Sequence, residues 1–268
     1  MLFRSSGRRR VLLTAVSVVV TGGMALGCGA QPDGADDPGS QAGAEAEIAE
    51  TGRFSAVWHG GPHLDVMSPL GTFVRAYVED AIWAYSTWDT EELSRSVIEA
   101  SAFDIEGQLE SQAPSGRPPE FGGALDYHVA EVSGSAERTQ VTVCRTNPRL
   151  GSRDAGSDEG FVSRADGQPP AVHPSLLVVS QEGSAPPAAN AGTENVPPRE
   201  AFGEWRALRF EYSPRREERV EAQRKCNELL GLPAEYPDSP ATYTTVPSMP
   251  EVAPSPGWPV GSAAAGDF

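Results

Sequence analysis

The residues able to do chemistry are few, and most stand apart from one another. His59-Gly-Gly-Pro-His63 and Asp65 bring two imidazoles and a carboxylate into one short stretch, a donor set suited to zinc or copper. Gly60-Gly61-Pro62 excludes a helix, so the two rings share no fixed face, and a solvated loop holding no metal is the expectation. The chain has no G-x-S-x-G, no Walker loop and no H-E-x-x-H, so no nucleophile elbow, phosphate cradle or zinc-protease helix is expected, and no cofactor. Arg206 and Arg209 fall on opposite faces of a strand and do not form an anion clamp. Cys144 and Cys226 are far apart, with no other cysteine near either. In an oxidising compartment they most simply form one disulfide, and the alternative is a pair of buried free thiols.

The elements that must position these groups show in the hydrophobic period. Leu70, Phe73, Val74, Tyr77, Val78, Ala81, Ile82 and Tyr85 follow the helical spacing, and Ser68-Pro69 suits an N-cap with proline at the first helical position. Asp89-Thr-Glu-Glu92 has capping-box spacing ahead of a shorter helix with Leu93, Val97 and Ile98. A third short helical piece carries Phe103, Ile105 and Leu109. From Gly122 the period becomes two, and residues 125–132 with 139–144 read as a hairpin turning at Ser133-Gly134-Ser135. Residues 147–173 and 183–200 read as loop insertions, with a β-rich run at 176–180 between them. Residues 202–212, with Trp205, Leu208 and Phe210, form the last expected strand. A helix over 215–230 then carries Cys226 and stops at Gly231. Residues 53–232 therefore make one domain. The small, acidic stretch 28–52 reads as a disordered tether, and the proline-rich stretch 233–268 as a disordered tail, both too poor in apolar groups or too rich in proline to join a core.

The net charge is −16, and four of the basic residues (Arg4, Arg8, Arg9, Arg10) sit in the first 27 positions, so the remainder is more acidic still. Such a chain repels phosphate backbones, and nucleic acid is not expected as a partner. Those arginines precede an apolar run, Val11-Leu-Leu-Thr-Ala-Val-Ser-Val-Val-Val20, and then small residues: a secretory signal over residues 1–27. The run is shorter than the about 20 apolar residues a spanning helix needs. Its end, Ala25-Leu26-Gly27-Cys28, resembles the lipobox of bacterial lipoproteins, with alanine where leucine is preferred. The resemblance implies cleavage before Cys28, diacylglycerol on its thiol and acylation (palmitate-type chains) that anchors the chain at the outer face of the cell membrane. The alternative is a soluble secreted protein cut near Ala30. Gly7-Arg-Arg-Arg10 also fits a twin-arginine signal, and the choice between that route and the general secretory one stays open.

Helices followed by antiparallel strands make the α+β class. Residues 73–89, ending in Tyr85-Ser-Thr-Trp-Asp89 before a second helix, resemble the opening of the nuclear transport factor 2-like, or cystatin-like, fold. The pattern is also similar to domains of small actinobacterial-type lipoproteins, which often add a strand cysteine such as Cys144. The resemblance covers about residues 69–144 and 202–212, and the two insertions depart from it. It implies N-terminal helices packed on a curved antiparallel sheet that closes into a cone. Enzymes of this fold use Tyr, Asp or His inside the cone, which here points to Tyr77, Asp80, Tyr85, Asp126 and His128. An apolar cone would raise a carboxyl pKa or keep His128 neutral for acid–base work. Read from their own spacing, Tyr77 and Tyr85 are core residues with the hydroxyl at the rim, and Asp126 and His128 oppose the apolar set Leu125, Tyr127 and Val129 on a solvent face. The expected function is a non-catalytic, membrane-tethered interaction or sensing module. Its partner would be an envelope protein or small ligand. The alternative is a cone-pocket enzyme or a carrier for a small apolar ligand, which an apolar cavity with Asp126 or His128 pointing inward would mark.

Overall fold

The computed structural model describes residues 53–113, 118–165, 170–234 and 242–260. The signal, Cys28 and the tether lie outside the described residues. The elements run β1 (Ser55–His59), α1 (Pro69–Thr87), a 3-10 turn (Thr90–Glu92), α2 (Arg95–Ala100), α3 (Ile105–Gln112), β2 (Glu120–Ser135), β3 (Arg138–Arg153), β4 (Phe161–Arg164), β5 (Val172–Ser180), a 3-10 turn (Arg199–Phe202), β6 (Arg206–Glu211), α4 (Arg216–Leu229) and β7 (Tyr243–Val246). The class is α+β, as expected.

Helix α1 starts where the sequence places it: Ser68 Oγ accepts from Gly71 N at 3.1 Å, and Pro69 opens the first turn. Gly71 is required there, because a Cβ would lie 2.2 Å from the carbonyl oxygen of Asp65. The helix ends at Trp88, a left-handed cap with φ 56° whose N–H returns to Ala84 O. Nearly every residue from Gly71 to Tyr85 is buried, charged Arg75, Glu79 and Asp80 included. Polar groups buried on that scale need partners, and their partners come from other elements. The Asp89 box caps only the 3-10 turn, and Ser94 caps α2 in its place.

The sheet is open and mixed, not wholly antiparallel. β1 pairs parallel with β2, in the register Val57↔Asp126 and His59↔His128. All three N-terminal helices lie in the β1–β2 connection, and a crossover of that kind permits a parallel pair. β2 and β3 form the expected hairpin, longer at both ends than expected and turning at Ala136-Glu137. A bulge between Val129 and Glu131 keeps both Val129 and Val132 in register with core valines Val143 and Val141. β3 then forks: residues 139–146 pair with β5, which pairs with β6, and Gly151-Ser152 pair with β4. The expected insertion at 147–173 therefore contains strand, namely the end of β3, all of β4 and the first residues of β5. Gly-, Arg- and Asp-rich composition hid these edge pairings, which depend on partners distant in sequence.

One face of the sheet packs on α1 through Leu125, Tyr127, Val129, Val141, Val143, Leu177, Val179 and Phe210. The other face carries α4, joined by the Cys144–Cys226 disulfide and by a small cluster of Ala130, Cys144, Val172 and Cys226.

The domain does not stop at 232. Residues 242–260, expected as tail, add β7 to β4 and then cross to the far edge, where Ser255 bridges Val57 beside β1. Trp258 is 1 % exposed. The loop 183–200 is tied in as well: Ala189 N donates to Thr72 Oγ1 and Met67 O, and Gly192 and Glu194 bridge Gly257 and Trp258. Prolines disfavour regular structure, yet one large indole in a prepared slot outweighs that preference. Residues 235–241 and 261–268 lie outside the described residues.

Candidate functional site

The five candidate residues do not converge. Tyr77 is fully buried on α1, with its hydroxyl 2.6 Å from Ser101 Oγ, and burial raises its pKa. Asp80 accepts from Arg53 at 3.1 Å and from Ser94 N at 2.9 Å, joining the chain before β1 to the start of α2. Both are structural ties.

Asp126 and His128 lie on the α4 side of the sheet, away from the core, but this is not a plain solvent face. Asp126 is 5 % exposed, and its Oδ1 meets His59 Nε2 at 2.7 Å and Arg149 at 2.6 Å. Asp126 Oδ2 is buried without a hydrogen-bond partner. The His59 and His128 rings stack at 4.3 Å and 5°. Burial, and then the neighbouring His59, lower the His128 pKa from 6.5 to about 4 against the pull of Asp126. The expectation of solvent exposure failed because it missed β1, whose parallel pairing sets His59 beside His128 and covers Asp126. The other half of the proposed metal stretch is not part of this cluster. His63 is exposed, and Asp65 Oδ1 accepts from Met67 N. No group of metal-ligating side chains occurs among the described residues.

A second buried cluster, which the sequence reading missed, spans α1 and the C-terminal segment. Glu79 takes the indole N–H of Trp58 on Oε1 and of Trp258 on Oε2, each at 2.7 Å. Arg75 lies 3.6 Å from Glu79, donates to Pro256 O at 2.5 Å, and stacks over the Trp258 ring at 4.2 Å. Desolvation pushes the Glu79 carboxyl up, opposed by Arg75 and the two indoles. Every contact in this cluster is internal, so it fastens the strap rather than presenting a surface. The i, i+4 spacing of Arg75 and Glu79 on an apolar face was the available signal.

The fifth candidate, Tyr85, lies elsewhere, fully buried in the wall of a cavity of about 330 Å³ between the end of α1 and the sheet. Tyr85 stacks on Tyr212 at 5.1 Å and accepts from Gln108 at 2.6 Å. Burial raises its pKa to about 12, so it is a neutral phenol at ordinary pH. Trp88, Leu125 and Leu150 add apolar wall, while Arg145 and Asn147 of β3 supply polar groups. Arg145 is 5 % exposed, donates to Tyr212 O at 2.9 Å and lies 4.2 Å from the Tyr212 ring. Its Nε and the Oδ1 of Asn147 are buried without partners. Among the described residues no carboxylate lines this cavity. Arg145 and Asn147 were passed over because they fall at the end of the hairpin strand, where the sequence reading began a loop.

The chain matches no protein-family model, no curated protein and no solved structure.

Proposed function

We propose that this chain is an exported lipoprotein, held by lipid on Cys28 at the outer face of the cell membrane, whose domain is a non-catalytic interaction or sensing module. The cone-like curvature that the fold resemblance implies belongs to the same reading, with α1 filling the cone. The observation that carries it is the dispersal of the polar candidates. Tyr77 and Asp80 are bonded into the helical layer, Asp126 and His128 are on the opposite face of the sheet, and Tyr85 lines the cavity at the end of α1. Acid–base catalysis needs donor and acceptor within reach of one substrate atom, and this distribution supports binding in its place. The Cys144–Cys226 pairing supports export, since such bonds persist in oxidising compartments. Cell fractionation tests the anchor: wild type is expected in the membrane fraction and Cys28→Ser in the soluble or unprocessed one. A Cys28→Ser chain that still matures and sediments with membrane refutes it.

A second reading, a pocket enzyme or a carrier for a small apolar ligand, is favoured by one observation, the aromatic cavity beside Tyr85. Neither Asp126 nor His128 lines it, so the carrier is the form of that reading the geometry supports. It is compatible with a sensing module whose signal is the ligand itself.

A further inference from the structure

The C-terminal strap is held at its two ends, by the pairing of β7 with β4 and by Trp258 in its slot on α1. Between those ends lies Met249, which is half-buried. Its seat is made of glycine. Gly122 of β2 and Gly151 of β3 are cross-strand partners, and Gly123 follows the first. A Cβ at Gly122 would lie 3.1 Å from Met249 Cβ, one at Gly123 3.2 Å from its Cε, and one at Gly151 2.6 Å from its Sδ. The thioether therefore lies along three residues that have no side chain, with Phe161 of β4 over two of the same glycines. A flexible apolar side chain suits so irregular a seat, and a sulfur near an aromatic ring adds to the contact. Met67 provides a comparison within the same chain. It is also half-buried, but its Sδ accepts from Arg75 Nη1 at 3.5 Å. That contact engages a sulfur lone pair and sets a cation beside it, and both slow the attack of the sulfur on an oxidant. Met1 and Met24 lie outside the described residues.

We infer that Met249 is an oxidation site through which peroxide loosens the β4–β7 edge of the sheet. In the step, a lone pair of Met249 Sδ attacks one oxygen of hydrogen peroxide, and the O–O bond breaks as the S–O bond forms. The sulfur is oxidised by two electrons to the sulfoxide. The leaving hydroxide takes the proton of the transferred oxygen and departs as water. The new oxygen is a strong acceptor on a side chain that was apolar. The glycine floor has no side-chain donor to give it, and the backbone of Gly122 and Gly151 belongs to the β2–β3 and β3–β4 ladders. A polar group buried without a partner is unfavourable, so the oxidised side chain leaves the seat for water. The elements beside the seat have little else to hold them. β4 and β7 are 4 residues each, and β7 pairs with β4 at the end of the sheet. Trp258 is fixed separately by Glu79 and Arg75, so the far end of the strap stays in place. The inference stands apart from the lipid anchor and from the binding-module reading.

The test treats the full-length protein with hydrogen peroxide and follows it by peptide mass and by amide hydrogen exchange. Met249 is expected to gain one oxygen at least about fivefold faster than Met67. Exchange at residues 161–164 and 243–246 should then rise at least about tenfold, while the residues around Glu79 and Trp258 keep their protection. A methionine sulfoxide reductase should restore the original exchange. Met249→Leu keeps an apolar side chain of similar volume and should make exchange in β7 indifferent to peroxide. Met67→Leu should leave the response intact. Met67 oxidising as fast as Met249, or oxidised wild type with unchanged exchange in β7, overturns the inference. So does a Met249→Leu protein that still responds. A response spread over the whole domain also overturns it, because it marks general unfolding in place of a local release.

Discussion

Asp126 accepts from both His59 and Arg149 through a single oxygen, on a sheet face that a hairpin pattern alone assigns to water. The alternation of Leu125, Tyr127 and Val129 with Asp126 and His128 was readable and correctly sorted the two faces. What covers the polar face was not readable, because His59 arrives from a strand some seventy residues away in the chain (about the length of three helices and their turns). The consequence is a pH dependence. The folded pKa of His128 lies near 4, below its ordinary 6.5, so the unfolded chain binds more protons between those values. Stability from this group is therefore complete above pH 6.5 and is lost progressively as pH falls toward 4. The thermal midpoint should decline from about pH 7 to about pH 5, a range above most carboxyl titrations, and His128→Gln should flatten that decline. A wild-type midpoint constant across that interval would show His128 to be an ordinary exposed histidine.

The elements divide by how local their causes are. Helix α1, with its Ser68-Pro69 start, and the core of the β2–β3 hairpin follow from spacing within one segment and were readable. The strands β1, β4 and β7 are 4 or 5 residues long, too short for a period to stand out, and each is set by its neighbour: β1 by β2, β4 by β3, and β7 by β4. The C-terminal strap shows the same limit. Its composition reads as disorder, and its order comes from Trp258, whose ring meets Arg75 and whose N–H meets Glu79, both on α1. Trp258→Ala removes a buried indole and one of the carboxylate's two indole donors. A loss of about 3–5 kcal/mol is expected, a fall of roughly 10 °C in thermal midpoint. Truncation after Leu232 should do at least as much, and a truncated chain with an unchanged midpoint would remove the strap from the domain. The disulfide acts at this scale too, closing a sequence separation of 82 between β3 and α4. A loop of that length is worth roughly 4 kcal/mol in the chain-entropy model. Reductant, or Cys226→Ser, should lower the midpoint by several degrees, and no change would mean that α4 holds to the sheet without it.

At the scale of the molecule, one acidic domain carries a cavity between the end of α1 and the sheet, and the chain before it carries the apolar run and the Ala25-Leu26-Gly27-Cys28 stretch that we propose as an export signal and lipidation site. The α+β class was readable from the order of patterns, whereas the cavity was not. It is assembled from α1, β2, β3, β5, the chain after β6 and α4, and no one of them announces a site. The proposed anchor would set the domain at the outer face of the membrane, and the intact mass of the protein extracted from membranes of a lipoprotein-processing bacterium tests it most directly. The account predicts a chain that begins at Cys28 and carries the added mass of diacylglycerol, with the Cys144–Cys226 disulfide intact. An unmodified chain beginning near Gln31, recovered from the medium, would contradict it.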